Sequence, residues 1–129
     1  NAKKKSFKSV TWWGAGKTLR EFLHVEDLGK AVVFSLENWD PSNESAPKDI
    51  EGKPLNYLNV GTGKDISIYE LVQKIKKETG YKGEIIWDKS KPDGTPKKQL
   101  NIEKLVELGW KPTISLDDGI KRTVKELMN

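Results

Sequence analysis

At 129 residues, 35% hydrophobic and 33% charged, the chain suits one globular domain with a modest core. The absence of cysteine excludes a disulfide framework and a zinc-thiolate site and fits a reducing cytoplasm, and no apolar run approaches the roughly 18 residues of a membrane span. The net charge of +4 comes from 23 cations and 19 anions interleaved along the whole length, so charge marks out no basic face and gives little reason to expect nucleic acid; a positive field suits a multiply charged nucleotide equally well.

The chain opens at Asn1, and Ala2-Lys3-Lys4-Lys5 reads as the frayed end of a longer segment. Residues 9–12, a β-prone run, end at Gly14 and Gly16, and residues 20–25 alternate polar and apolar before turning at Glu26-Asp27. This predicts two short strands joined by a glycine loop. Asp27 is expected to cap a helix through Asn38 that buries Leu28, Ala31, Val32, Ser35 and Leu36, while Val33 and Phe34 point elsewhere. A helix apolar on more than one side packs between two layers, so this one is expected to lack a partner here.

Residues 39–54 carry Pro41, Pro47 and Pro54 with no period and read as a surface loop. Residues 57–60 are expected to form a strand ended by Gly61-Thr62-Gly63. Ser67-x-x-Glu70 is a capping box that opens a helix closed by Gly80, with Ile68, Leu71, Val72 and Ile75 on its buried face. Residues 84–87 read as another strand, residues 88–96 as turns, and residues 102–108 as a short helix stopped by Gly109. Ser115 caps a last helix that buries Leu116, Ile120, Val124 and Leu127. Short strands alternating with about four helices make an α/β domain.

Arg20 stands out among residues that could carry chemistry. A guanidinium can grip a phosphate through two parallel N–H···O bonds, and here it follows a glycine-bent, tryptophan-flanked loop. Its bland alternative is a surface or strand-edge salt bridge, for instance to Glu21 or Glu26. Gly14 and Gly16 are read as letting backbone approach a ligand closely. Trp12 and Trp13, adjacent in a strand, must face opposite sides; one belongs to the core, and Trp13, nearer the loop, is the candidate platform for a base or sugar. Asp93, in Lys91-Pro92-Asp93-Gly94-Thr95-Pro96, either serves a β-turn or accepts from a sugar hydroxyl.

His24 is the only histidine, and it has no nucleophile or carboxylate partner at motif spacing, so it reads as a hydrogen-bonded structural residue. Gly61-Thr62-Gly63 is neither a Gly-x-Gly-x-x-Gly nor a Walker loop, and its expected task is a strand-to-helix turn. No catalytic group, metal site or cofactor-binding residue is identified.

Taken in order, Trp13-Gly14-x-Gly16, Arg20-Glu21-Phe22-Leu23-His24-Val25-x-Asp27, Asn59-Val60-Gly61-Thr62-Gly63, Ser67-Ile68-x-Glu70-Leu71, Ser90-Lys91-Pro92-Asp93-Gly94-Thr95-Pro96 and Leu108-Gly109-Trp110 form a specific pattern. It resembles the C-terminal portion of the extended short-chain dehydrogenase/reductase family of nucleotide-sugar enzymes, over roughly residues 8–125. Ser90 to Pro96 brings it nearest to members that epimerise a GDP-4-keto-6-deoxy sugar at C3 and C5 and reduce it at C4.

The resemblance implies that residues 1–129 are a GDP-sugar-binding domain, inactive alone. Trp13, Arg20 and Asp93 would contact substrate, with Arg20 on the diphosphate. An absent N-terminal Rossmann domain would bind NADP and carry the acid, base and Tyr-x-x-x-Lys groups. The partners implied are the GDP-sugar and that domain, in a cytoplasmic homodimer. The alternatives are another nucleotide-sugar epimerase or 4,6-dehydratase, or a free-standing basic nucleotide- or nucleic-acid-binding module. Where some members place a basic substrate contact after Tyr81-Lys82-Gly83, this chain has Glu84, which cannot serve a phosphate.

Overall fold

The computed structural model of the chain describes residues 5–128, so most of the lysine-rich start lies outside the described residues. Five short strands and four helices follow in the order β1 (Ser9–Trp13), β2 (Leu19–Glu21), α1 (Val25–Asn38), β3 (Asp65–Ser67), α2 (Ile68–Thr79), β4 (Glu84–Asp88), β5 (Lys97–Lys98), α3 (Glu103–Glu107) and α4 (Leu116–Met128). The α/β class expected from the alternation holds. The strands form two small sheets: β1 lies parallel to β4, while β2 sits between antiparallel β3 and parallel β5.

Local signals set most helix ends. Ser67 Oγ accepts from Glu70 N at 3.1 Å and Glu70 Oε2 accepts from Ser67 N at 3.1 Å, so the capping box opens α2 as expected. The bonds from the Ser67 side chain and backbone also hold the Glu70 carboxyl below its ordinary pKa. Gly80 closes that helix in the left-handed region at φ 62°. Ser115 Oγ accepts from Asp118 N at 3.1 Å at the start of α4. Leu127, expected inside, is 69% exposed in the last turn of α4.

Helix α1 departs from expectation. It begins at Val25, and its N-cap is His24, whose Nδ1 accepts from Glu26 N at 3.3 Å. Asp27 is inside the first turn and 1% exposed, accepting from Thr113 N at 2.8 Å, Thr113 Oγ1 at 2.8 Å and Ile114 N at 2.7 Å. Burial disfavours its charge, but these bonds, with Lys30 3.7 Å away, outweigh that and hold the carboxyl below its ordinary pKa.

The Asp27 clamp turns the helix. Ala31 and Phe34, four and seven residues on, face inward with it, and Ala31 joins Leu105 and Trp110 in the core, against which Leu23, Phe34, Leu58 and Val60 pack. Of the face expected inside, Ala31 is buried and Ser35 half-buried, but Leu28, Val32 and Leu36 are exposed, as are Val25 and Val33. Residues 57–60 form no strand, contrary to the β-prone pattern, because no neighbouring strand among the described residues supplies a ladder. Residues 39–54 are a loop, as expected, held by side-chain turns in which Asp40, Asn43 and Asp49 accept from the backbone two residues on.

Candidate functional site

Two connections cross between the sheets side by side. Residues 14–18 lead from β1 to β2, and residues 89–96 lead from β4 to β5. Because β1 pairs with β4 and β2 with β5, the loops start together and finish together. Backbone bonds fasten both ends: Gly14 N donates to Asp88 O at 2.9 Å, and Leu19 N donates to Pro96 O at 2.8 Å. Between them, Asp93 Oδ1 accepts from Ala15 N at 2.6 Å. Asp93 thus serves the loop geometry of its bland reading, and its second carboxylate oxygen is left for another donor.

The glycines serve this lacing. A Cβ on Gly14 would stand 2.3 Å from Asp93 Oδ1, and one on Gly16 would stand 2.6 Å from the Trp87 indole; their φ values of +79° and +70° also disfavour other residues. The close approach expected toward a ligand is therefore made first to the protein's own second loop. Gly16 O meanwhile accepts from Tyr69 N at 2.8 Å, tying the crossing to α2.

Neither tryptophan is in the core, contrary to expectation: Trp12 leans on Trp87 with centroids 6.4 Å apart but is 36% exposed, and Trp13 is 72% exposed at the end of β1. The Lys91 ammonium lies over the Trp13 ring, 5.7 Å from its centroid. At the far end of the same loop, a Cβ on Gly94 would lie 3.8 Å from Arg20 Nη2. Residues 91–94 therefore run from the indole of Trp13, past the Asp93 carboxylate, to the guanidinium of Arg20.

Among the described residues Arg20 makes no salt bridge, to Glu21, Glu26 or another carboxylate. Its Nη1 donates to Leu19 O at 2.6 Å, while Glu26 pairs with Arg122 at 2.9 Å. Glu21 is engaged elsewhere: its Oε1 accepts from Thr62 N and from Gly63 N at 2.6 Å, and its Oε2 from Leu100 N at 3.1 Å. Glu21 thus anchors two loops, and it lines the same cavity as Arg20.

Two residues that the sequence pattern did not single out belong here. Lys98 is the register partner of Arg20 across β2 and β5, which sets two cations side by side, and both line a cavity of about 430 Å³ that Glu21 and Leu100 also line. Glu21 is the other, because its carboxylate fills the turn at Gly61-Thr62-Gly63. A dinucleotide phosphate would need those N–H groups and would meet an anion already there. Nothing short-range links Glu21 to Leu100, 79 residues away, so only the folded chain shows its part. Glu84 does not enter the site: it begins β4, about 13 Å from the Asp88 end at the usual rise per residue.

Residues 1–50 match the NAD dependent epimerase/dehydratase family. The chain is 44% identical over 114 residues to the GDP-L-fucose synthase of Escherichia coli K12, covering 88% of this chain and 34% of that protein. It is 40% identical over 124 residues to the probable GDP-L-fucose synthase 1 of Oryza sativa subsp. japonica, covering 96% of this chain and 34% of that one. Among solved structures, the GDP-mannoheptose C4 reductase MlghC of Campylobacter jejuni, with NADP bound, superposes with a TM-score of 0.76 at 32% identity, covering 95% of this chain and 35% of that one. The chain thus spans about a third of the length of the relatives it matches, aligning with their C-terminal part.

Proposed function

We propose that this chain belongs to the extended short-chain dehydrogenase/reductase family of nucleotide-sugar enzymes, with whose C-terminal third it aligns, and that it is the substrate-binding part of a GDP-L-fucose synthase. The whole enzyme converts GDP-4-keto-6-deoxy-D-mannose to GDP-L-fucose by epimerisation at C3 and C5 and reduction at C4 with NADPH. The observation that carries this reading is the row formed by Trp13, Asp93 and Arg20. Three side chains drawn from separate stretches stand in the order that a base, a sugar hydroxyl and a phosphate would meet them.

The roles follow from the chemistry of each group. Trp13 offers a flat apolar face for stacking, and Asp93 can accept from a hydroxyl through the oxygen not committed to Ala15. Arg20 and Lys98 supply charge-assisted donors to the diphosphate, and the fixed backbone around them lowers the ordering cost of binding. These residues position the substrate and move no proton.

The described residues do not suit NADP, because the one glycine-rich turn that could cradle a phosphate is filled by Glu21. When bound to the rest of the polypeptide, that cofactor supplies the hydride for reduction at C4, and the acid-base groups belong with it there. The outer face of α1, carrying Val25, Leu28, Val32, Val33 and Leu36, and the unladdered residues 57–60 are the surfaces we assign to contact with an N-terminal Rossmann domain. The complete enzyme is assigned as a cytoplasmic homodimer.

The test is Arg20→Ala in the full-length protein, with GDP-sugar affinity measured by calorimetry. Loss of one charge-assisted contact is expected to cost about 1.5–3 kcal/mol. Unchanged affinity removes Arg20 from the site, and product formed from a UDP-sugar alone replaces the GDP-sugar assignment with a 4-epimerase or dehydratase of another nucleotide sugar.

A further inference from the structure

One more charged group has a built position at this site. β1 and β4 put Trp13 and Asp88 in register, and beyond Asp88 the chain folds back. Lys91 N donates to Asp88 O at 3.2 Å, and the Asp88 carboxylate accepts from Ser90 N at 3.1 Å. Two residues past Lys91, the bond from Ala15 N to Asp93 fixes the other side of the turn. The backbone of Lys91 is therefore held before and after it, next to the strand that carries Trp13. Its side chain reaches the indole, and among the described residues its ammonium has no carboxylate partner within ion-pair distance.

An exposed contact between an ammonium and an aromatic face is weak, and a nucleobase gives the indole a larger stacking surface. We infer that Lys91 reads the base of the nucleotide. When a base takes the face of Trp13 that the ammonium now covers, the flexible four-carbon stem carries the ammonium to the rim of the base. There it selects a purine with a carbonyl oxygen at C6 over one with an amino group.

The selection follows from donor counting. A lysine ammonium has three donors and no acceptor. Guanine sets O6 and N7 side by side as acceptors, whereas adenine places the donor N6-amino group beside N7. The ammonium can bond the guanine edge and is opposed by one end of the adenine edge. The inference rests on the nucleotide-binding reading above and adds to it the group that distinguishes one purine from another.

The experiment is calorimetric titration of the full-length protein with GDP, IDP and ADP. IDP keeps O6 and N7 but lacks the 2-amino group, so it isolates the edge that Lys91 would read. Lys91→Met is expected to weaken GDP and IDP binding about tenfold, the scale of a lost base-edge contact, and to leave ADP unchanged. Lys91→Arg keeps the donors and should retain the preference. Equal weakening of all three nucleotides by Lys91→Met, or no change in any, overturns the inference.

Arg20→Ala separates the two levels, since a phosphate contact should weaken all three ligands alike. If it does so while Lys91→Met leaves the GDP-to-ADP ratio unchanged, only the role of Lys91 is lost. If wild-type protein binds none of the three, or Arg20→Ala changes none, the nucleotide-binding reading fails and takes the inference with it.

Discussion

The laced loops and the outer face of α1 lie on the same small domain but are finished to different degrees. Residues 14–18 and 89–96 satisfy one another at both ends and in the middle, with two glycines present because a side chain there would strike Asp93 or Trp87. On α1, by contrast, Leu36 is 81% exposed and Val25 72%, in a stripe that also includes Leu28, Val32 and Val33. The loops are complete by themselves, whereas the helix face is apolar surface without a counterpart among the described residues. Polar groups that hold a site must be satisfied within the fold, but an apolar face waits only for something to cover it.

Breaking the inward side of α1 should have the largest effect. Asp27→Ala leaves the N–H groups of Thr113 and Ile114 without their acceptor and is expected to cost about 4 kcal/mol in urea denaturation. A loss under about 1 kcal/mol would mean that these groups find water and that the clamp does not orient the helix. On the loop side, Gly16→Ala combines positive-φ strain with a clash at Trp87 and should cost about 2–3 kcal/mol.

Acid offers a graded version of the first change. The pKa of Asp27 is lowered in the folded state, so its contribution is fully present above the ordinary carboxylate value and is lost as pH falls through the folded value. The stability of wild type should therefore drop more steeply than that of Asp27→Asn as pH is lowered from 7 to 3, measured by urea titration at each pH. Parallel curves would remove the clamp from the acid response. The smallest effect belongs to the outer stripe: Val32→Gln or Leu36→Gln should change the stability of this chain by no more than about 0.5 kcal/mol, as for exposed positions generally. In a full-length protein whose other domain covers that face, the same substitutions should lower the melting temperature. An equal response in both would show that nothing rests on the stripe.

Signals of short range were legible in the sequence. Ser67 and Glu70 lie three residues apart and cap each other, and Gly80 and Ser115 mark helix ends. His24 read as structural and proved to be a cap. Three expectations failed where a distant partner decided the outcome. Asp27 looked like a cap until Thr113 and Ile114, more than 80 residues on, took both of its oxygens. The hydrophobic periodicity of α1 identified a helix and put Ala31 inside, but it took in Leu28, Val32 and Leu36, which are exposed, and left out Phe34, because the Asp27 clamp fixes the rotation. Residues 57–60 have the composition of a strand, yet a strand exists only where a neighbour completes the ladder.

The sequence by itself determined both ends of α2, the start of α4, the α/β class, and the candidacy of Trp13, Arg20 and Asp93, since side-chain chemistry and bonds spanning a few residues do not depend on the rest of the chain. Only the tertiary structure decided that these three stand in one row, that Lys98 joins Arg20, and that Glu21 closes the turn a phosphate could otherwise have used. Those outcomes depend on β4 and β5 returning to β1 and β2 across more than 70 residues. That pairing is set by the summed burial and hydrogen bonding of the whole fold, to which no single stretch of sequence points.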